Sequence, residues 1–218
     1  LVWSVTDATP VDVVVSWGEG LSSLLPFITQ VCLTILFAFS LAHLGPVPRF
    51  LESLADVPKT ASQAYAFAAM FTSAVCLIAW PLGTILGGLM AREIGLRFKA
   101  RGDQVHYPLL GGAAFSGFVV WHMGYSGSAP LFVATEGHAL QGLVGLIPVS
   151  DTIFAPWNIL TAVIILVAVA LVCPHMRPST DESIVIGQDK LKRETPLVSN
   201  PSSGLASRLN NARSLSFL

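Results

Sequence analysis

Residues 107–135 read YPLLGGAAFSGFVVWHMGYSGSAPLFVAT, and the punctuation of this stretch decides how the chain folds. It holds no Lys, Arg, Asp or Glu. It is also long enough to cross a bilayer, whose hydrocarbon core of about 30 Å takes about 20 helical residues. Yet Gly111-Gly112, Ser116-Gly117 and then the run from His122 to Pro130 (HMGYSGSAP) cannot make one good continuous helix, given the propensity costs of Gly and Pro. Non-helical backbone survives at membrane depth only where it is buried in protein or lines a polar cavity. The segment is therefore expected to be a broken membrane helix.

The composition around it agrees. Of 218 residues, 53% are hydrophobic and 11% charged, the mean hydropathy is +0.67 and the net charge is −1. A soluble domain averages about 25% charged residues, which argues against an ordinary soluble enzyme or a disordered chain. A nucleic-acid binder would need a basic face. All twelve basic residues fall in three blocks, 49–59, 92–101 and 177–213, and residues 1–48 and 102–176 contain none. Long apolar runs separated by basic loops predict an all-α polytopic membrane protein with the bilayer as its solvent.

Two further spans are plain. Leu21 to Leu44 is interrupted only by Gln30, small hydroxyl residues and His43; residues 156–174 run from Pro156-Trp157-Asn158 through ILTAVIILVAVALVC to Pro174. Residues 64–89 are less regular, because Trp80-Pro81-Leu82-Gly83 sits near their midpoint and proline breaks or kinks a helix. If 64–89 crossed fully, the best orientation would leave Arg49 and Lys59 opposite the other ten basic residues; a re-entrant hairpin puts all twelve on one side. The hairpin is the expectation. Two discontinuous segments in one short chain are the pattern of a transporter binding site.

The resulting organisation is an external segment at 1–20, a membrane unit at 21–174 and a linker at 175–218, with 44–63, 90–106 and 175–218 cytoplasmic. Val47, Phe50, Leu51 and Leu54, and again Leu140, Leu143, Val144 and Ile147, recur at helical spacing. They fit short helices lying at the interface or packed on the bundle. Leu205 to Ala212 reads as an amphipathic lead-in to a further segment. The first residue is Leu1 and residues 1–20 have no basic n-region, so the chain is expected to be a piece of a longer protein rather than to open on a signal peptide. Cys32, Cys76 and Cys173 lie in apolar runs and read as packing residues. No metal or cofactor is expected.

Several of these stretches match a known family. Trp17-Gly18-Glu19-Gly20, Leu89-Met90-Ala91-Arg92-Glu93 and above all Tyr107 to Thr135 carry the match, with Gly137-His138, Gly145-Leu146-Ile147-Pro148, Asp151-Thr152-Ile153-Phe154 and the run from Leu205 to Arg213. Together they resemble the short-chain fatty acid transporter family of the wider ion-transporter superfamily. The resemblance implies two inverted repeats, each with a re-entrant hairpin and a broken helix. It further implies that an upstream helix and a C-terminal half are absent here, and that transport is coupled to an ion or proton in a bacterial inner membrane. Homo-oligomerisation is compatible with it. The family's hairpin tip usually reads Asn-Trp-Gly-Phe-Gly, where this chain has Ala79-Trp80-Pro81-Leu82-Gly83, and the family's Pro before Gly-His is replaced by Glu136.

A small carboxylate substrate, which the resemblance implies, meets no Lys or Arg within any expected membrane segment. Backbone N–H groups at half-helix N-termini and hydroxyl donors remain. Gly124, Ser126, Gly127, Ser128 and Pro130 of the break, with Trp80, Gly83 and Thr84 of the hairpin tip, are the expected substrate-binding set. His122 is a candidate for proton exchange. Phe118, Trp121 and Phe132 read more readily as packing residues than as the lining of an acyl-chain pocket. Glu136 and His138 read as solvated residues near the outer interface, and Asp151 as a helix cap. Two alternatives come from other classes. Gly124-Tyr125-Ser126-Gly127 has the form found around the nucleophile of rhomboid intramembrane proteases, which would need a facing His. A non-transporting truncated membrane protein is the other.

Overall fold

A first helix, α1 (Pro10–Ala42), begins where Thr9 caps it: its Oγ1 accepts from Asp12 N–H at 3.2 Å while the Asp12 carboxylate accepts from Thr9 N–H at 2.9 Å. This reciprocal box, with Pro10 in the first helical position, starts the helix eleven residues before the expected span at Leu21. The computed structural model describes residues 9–187, so the linker beyond 187 and the lead-in at Leu205 lie outside the described residues. The chain divides into residues 1–185 and 186–218, and the helices named here belong to the first unit.

After α1 come α2 (Pro46–Leu54), α3 (Ala61–Ile78), α4 (Trp80–Arg101), α5 (Tyr107–Ser116), a 3₁₀ segment (Gly117–Met123), α6 (Ser128–Val133), α7 (Gln141–Val144) and α8 (Pro156–His175). No strand occurs among the described residues. Among the described residues three helices are long and apolar enough to cross a membrane: α1, α3 and α8. At 1.5 Å per residue α3 is about 27 Å long and α8 about 30 Å, each close to a hydrocarbon thickness.

The expected break at Trp80 is present. Ala79 alone is extended (φ −148°, ψ 102°) between α3 and α4. The two helices fold back on one another: Gly83 sits against Cys76, and four residues further out Gly87 sits against Thr72. A Cβ at Gly83 would fall 2.3 Å from Cys76 Sγ, and one at Gly87 2.4 Å from Thr72 Oγ1. The α3 face is made of Ala64, Ala68, Ala69, Thr72, Ser73 and Cys76, small residues that let backbones approach. Gly117 also approaches α3 closely: a Cβ there would lie 2.6 Å from Ser73 N and 2.8 Å from Thr72 Cβ.

The arms of this hairpin outrun the expected 64–89. Residues 90–101, expected in a loop, continue α4, because Met90, Ile94 and Phe98 repeat every four residues and all are buried. Gly102 then ends the helix at φ 77°, with Asp103 N–H donating to Phe98 O at 2.9 Å. In α2, Leu51 is buried and Phe50 exposed, so this amphipathic helix packs on the bundle. The second stretch expected to behave similarly yields only the four-residue α7, and Leu143 is 85% exposed.

The described basic residues gather at one end. Arg97 pairs with Asp56 (3.5 Å), Arg101 donates to Pro58 O (3.1 Å), and Arg177, just past α8, donates to Ser62 Oγ (3.3 Å). The start of α3, the end of α4 and the end of α8 therefore share that end. Along α1 and α8 large apolar side chains face outward, among them Trp17, Leu25, Phe37, Leu160, Ile164 and Leu171. Such continuous apolar exposure suits a lipid environment or a further protein surface.

Candidate functional site

The opening stretch breaks twice. α5 tightens at Gly117 into a seven-residue 3₁₀ segment, longer than such runs usually persist. Gly124 (φ −96°, ψ 175°) and Gly127 (φ −62°, ψ 120°) are each extended and flank a turn at 125–126, and Gly127 is the N-cap of the six-residue α6. Gly124 is required by proximity: a Cβ there would lie 2.3 to 2.6 Å from the Leu77 backbone. Gly127 closes a turn, donating to Gly124 O at 3.0 Å, with its Cβ position 2.6 Å from His122 O.

The hairpin tip and this loop meet. Trp80 N–H, an orphan donor at the first position of α4, donates to Ser126 Oγ at 2.9 Å. Tyr125 N–H donates to Leu77 O at 2.7 Å. The Trp80 ring stands edge-on to Trp121 (5.4 Å) and Phe118 (5.9 Å), which stack on each other at 5.2 Å. Two segments separated by 46 residues in sequence thus form one junction.

The expected site residues divide by what occupies them. Ser126 is half-buried, and because its oxygen accepts from Trp80 N–H, its own hydrogen is free to donate. Ser128 is exposed at the first position of α6. Pro130 stands at the third position of that helix, within its first turn, where its missing N–H leaves no helical bond unmade. Thr84 spends its hydroxyl on Pro81 O (2.9 Å), and Gly83 is consumed in packing on Cys76. His122 is half-buried with its ring 3.6 Å from that of Trp121. Ser126 makes no hydrogen bond with a histidine among the described residues, so the nucleophile–base contact of an intramembrane protease is not formed there.

Phe118 and Trp121 pack in the aromatic cluster, and Phe132 pairs with the His138 ring at 5.1 Å, in keeping with their reading as packing residues. Two expectations nearby are corrected. His138 is not solvated: it is 7% exposed, with Nε2 3.0 Å from Gly145 O. Asp151 caps no helix, since Ala155 is the N-cap of α8 and Pro156 its first residue. Asp151 instead accepts from Ser150 Oγ at 3.0 Å.

A residue without an assigned role holds this region together. Asn158, 6% exposed, donates through Nδ2 to Met123 O (3.0 Å) and to Ile153 O (2.8 Å). It supplies a donor to the end of the 3₁₀ segment, whose carbonyls lack helical partners. A lone amide in the otherwise apolar α8 was the available signal. Beside it lies an apolar cavity of about 260 Å³, lined by Leu77, Tyr125, Ile153, Phe154, Asn158 and Ile159 among others. The tip, the loop and the first two turns of α8 all border it.

A family profile described as "Short chain fatty acid transporter" matches residues 1–218. Among curated relatives, a protein of Escherichia coli (strain K12) named "Putative short-chain fatty acid transporter" is 33% identical over 219 residues, covering 98% of this chain and 48% of its own length. A protein of Haemophilus influenzae with the same name is 32% identical over 188 residues, covering 83% of this chain and 41% of its own. The chain spans about half the length of the curated relatives it matches. No solved structure matches it.

Proposed function

The chain belongs to the short chain fatty acid transporter family, and on that premise we propose that it supplies one half of the translocation path of a secondary transporter for short monocarboxylates. The observation that carries this reading is the junction of the hairpin tip with the break loop, where Trp80 N–H meets Ser126 Oγ at 2.9 Å beside an apolar cavity. The substrate carboxylate is held by the Ser126 and Ser128 hydroxyls with the loop backbone, in place of a cation. The acyl chain enters the cavity, where each buried CH₂ contributes about 0.8 kcal/mol.

In this reading the α3–α4 hairpin is re-entrant, and hairpin and broken helix move against the continuous helices in alternating access. Coupling to an ion or proton, with His122 as the exchanging group, a bacterial inner-membrane location, the basic end facing the cytoplasm and a C-terminal half completing the site belong to the same proposal. Uptake of labelled butyrate by cells expressing the full-length transporter tests it. Ser126→Ala and Ser128→Ala are each expected to lower uptake severalfold at unchanged membrane abundance. Unchanged uptake kinetics in both variants would overturn the site.

A further inference from the structure

At the opposite end of the bundle from the tip, a second cavity of about 370 Å³ is lined by Tyr65, Gln104, His106, Arg177, Thr180 and Ser183, with Ala61 at the first position of α3. We propose that it binds a phosphate-class oxyanion, presented by a lipid headgroup or free in solution. Beside Ala61 and Pro178 the lining carries the donors of Tyr65, Gln104, His106, Arg177, Thr180 and Ser183, while Ser179 donates to Glu182 at 3.0 Å; none of the residues lining the cavity is acidic. Arg177 makes its one hydrogen bond among the described residues to Ser62 Oγ at 3.3 Å and pairs there with no carboxylate. Its remaining N–H groups are thereby left for a ligand.

The neighbouring hydrogen bonds orient further donors. Tyr65 oxygen accepts from His106 N–H at 2.9 Å, so its own O–H is free to donate. His106 Nδ1 accepts from Ile184 N–H at 3.0 Å, which places the hydrogen of the neutral ring on Nε2. Tyr107 N–H donates to Ile184 O at 2.7 Å, so residues 177–184 are pinned across the entry to α5 and form one wall. The N-terminus of the 18-residue α3 adds partial positive charge from below.

Thermal unfolding of the purified protein in uncharged detergent tests the site. Three arms are titrated: short-chain phosphatidylglycerol, inorganic phosphate and short-chain phosphatidylcholine. A saturable rise of Tm with phosphatidylglycerol, phosphate or both is expected; phosphate acting alone identifies a free anion, and phosphatidylglycerol acting alone a headgroup. Arg177→Gln is expected to weaken that response about tenfold or more, and Arg177→Lys, which keeps the charge, by less. Arg49→Gln, a basic residue of α2 outside the cavity, leaves it unchanged. No saturable response to either anion, an equal response to phosphatidylcholine, or an equal loss in Arg49→Gln overturns the proposal.

Discussion

Single residues at the junction do work that their types only partly announce. Gly124 lies against the Leu77 backbone, and a backbone neighbour cannot rotate away as a side chain would. Gly124→Ala is therefore expected to overpack the junction and cost about 1–3 kcal/mol, read as a lowered Tm in detergent. An unchanged Tm would mean that the loop yields freely. Asn158→Leu keeps the size of the side chain but leaves the Met123 and Ile153 carbonyls without their donor. A loss of about 1–3 kcal/mol is expected, and Asn158→Gln should not restore it, because the longer amide misses the same two oxygens. Trp80 and Ser126 could be named from the sequence, since a Pro/Gly break and a Gly/Ser loop announce functional backbone. That they bond each other could not, because sequence does not say which distant loop caps a helix. Gly83 illustrates the reverse case: its type marks it as special in the sequence, but that its small size serves close packing on Cys76 is visible only in the structure.

Among elements, the hairpin is held by the absence of side chains along one face. Thr72 Oγ1 is buried without a hydrogen-bond partner among the described residues, directly under Gly87. Two consequences oppose each other in a way a double-mutant cycle can read. Gly87→Ala alone forces a methyl into the Thr72 hydroxyl and is expected to destabilise by about 1–3 kcal/mol. Thr72→Ala alone removes an unsatisfied hydroxyl and is expected to be neutral or stabilising. The double variant should regain most of the loss, with a coupling of about 0.5–3 kcal/mol; simple additivity would mean that these residues do not touch. Element types were legible from apolar length and Gly/Pro punctuation, but boundaries were not. α1 begins early because Thr9, Pro10 and Asp12 form a local start signal inside a stretch set aside as external. α4 runs late because Met90, Ile94 and Phe98 continue an apolar stripe through a segment whose Arg92, Arg97, Lys99 and Arg101 had marked it as a loop. Charge placement locates the polar end of a helix but does not say that the helix stops there.

For the whole molecule, the arrangement of ends constrains how it can sit in a bilayer. The start of α3, the end of α4 and the end of α8 share the basic end, while the hairpin tip reaches the first turns of α8. A hairpin whose arms begin and finish together cannot leave its two flanking loops on opposite faces without pulling apart the Gly83–Cys76 and Gly87–Thr72 contacts. The apolar length of α3 would by itself permit a crossing; the return of α4 along the same face brings the chain back to the end it left, so 61–101 is not one continuous crossing. Single cysteines at Val57 and Asp103, in a background where Cys32, Cys76 and Cys173 are replaced, decide between these. Val57 is 54% exposed and Asp103 lies past the end of α4, so both sites are open to a membrane-impermeant maleimide. Labelling of both from the same side of oriented vesicles is expected, in equal measure and from one side only. Labelling from opposite sides would mean that α3 spans alone and that the folded-back hairpin is not the membrane-embedded form. The twelve basic residues would then no longer share a side, and the charge pattern that favoured the hairpin would lose its physical basis.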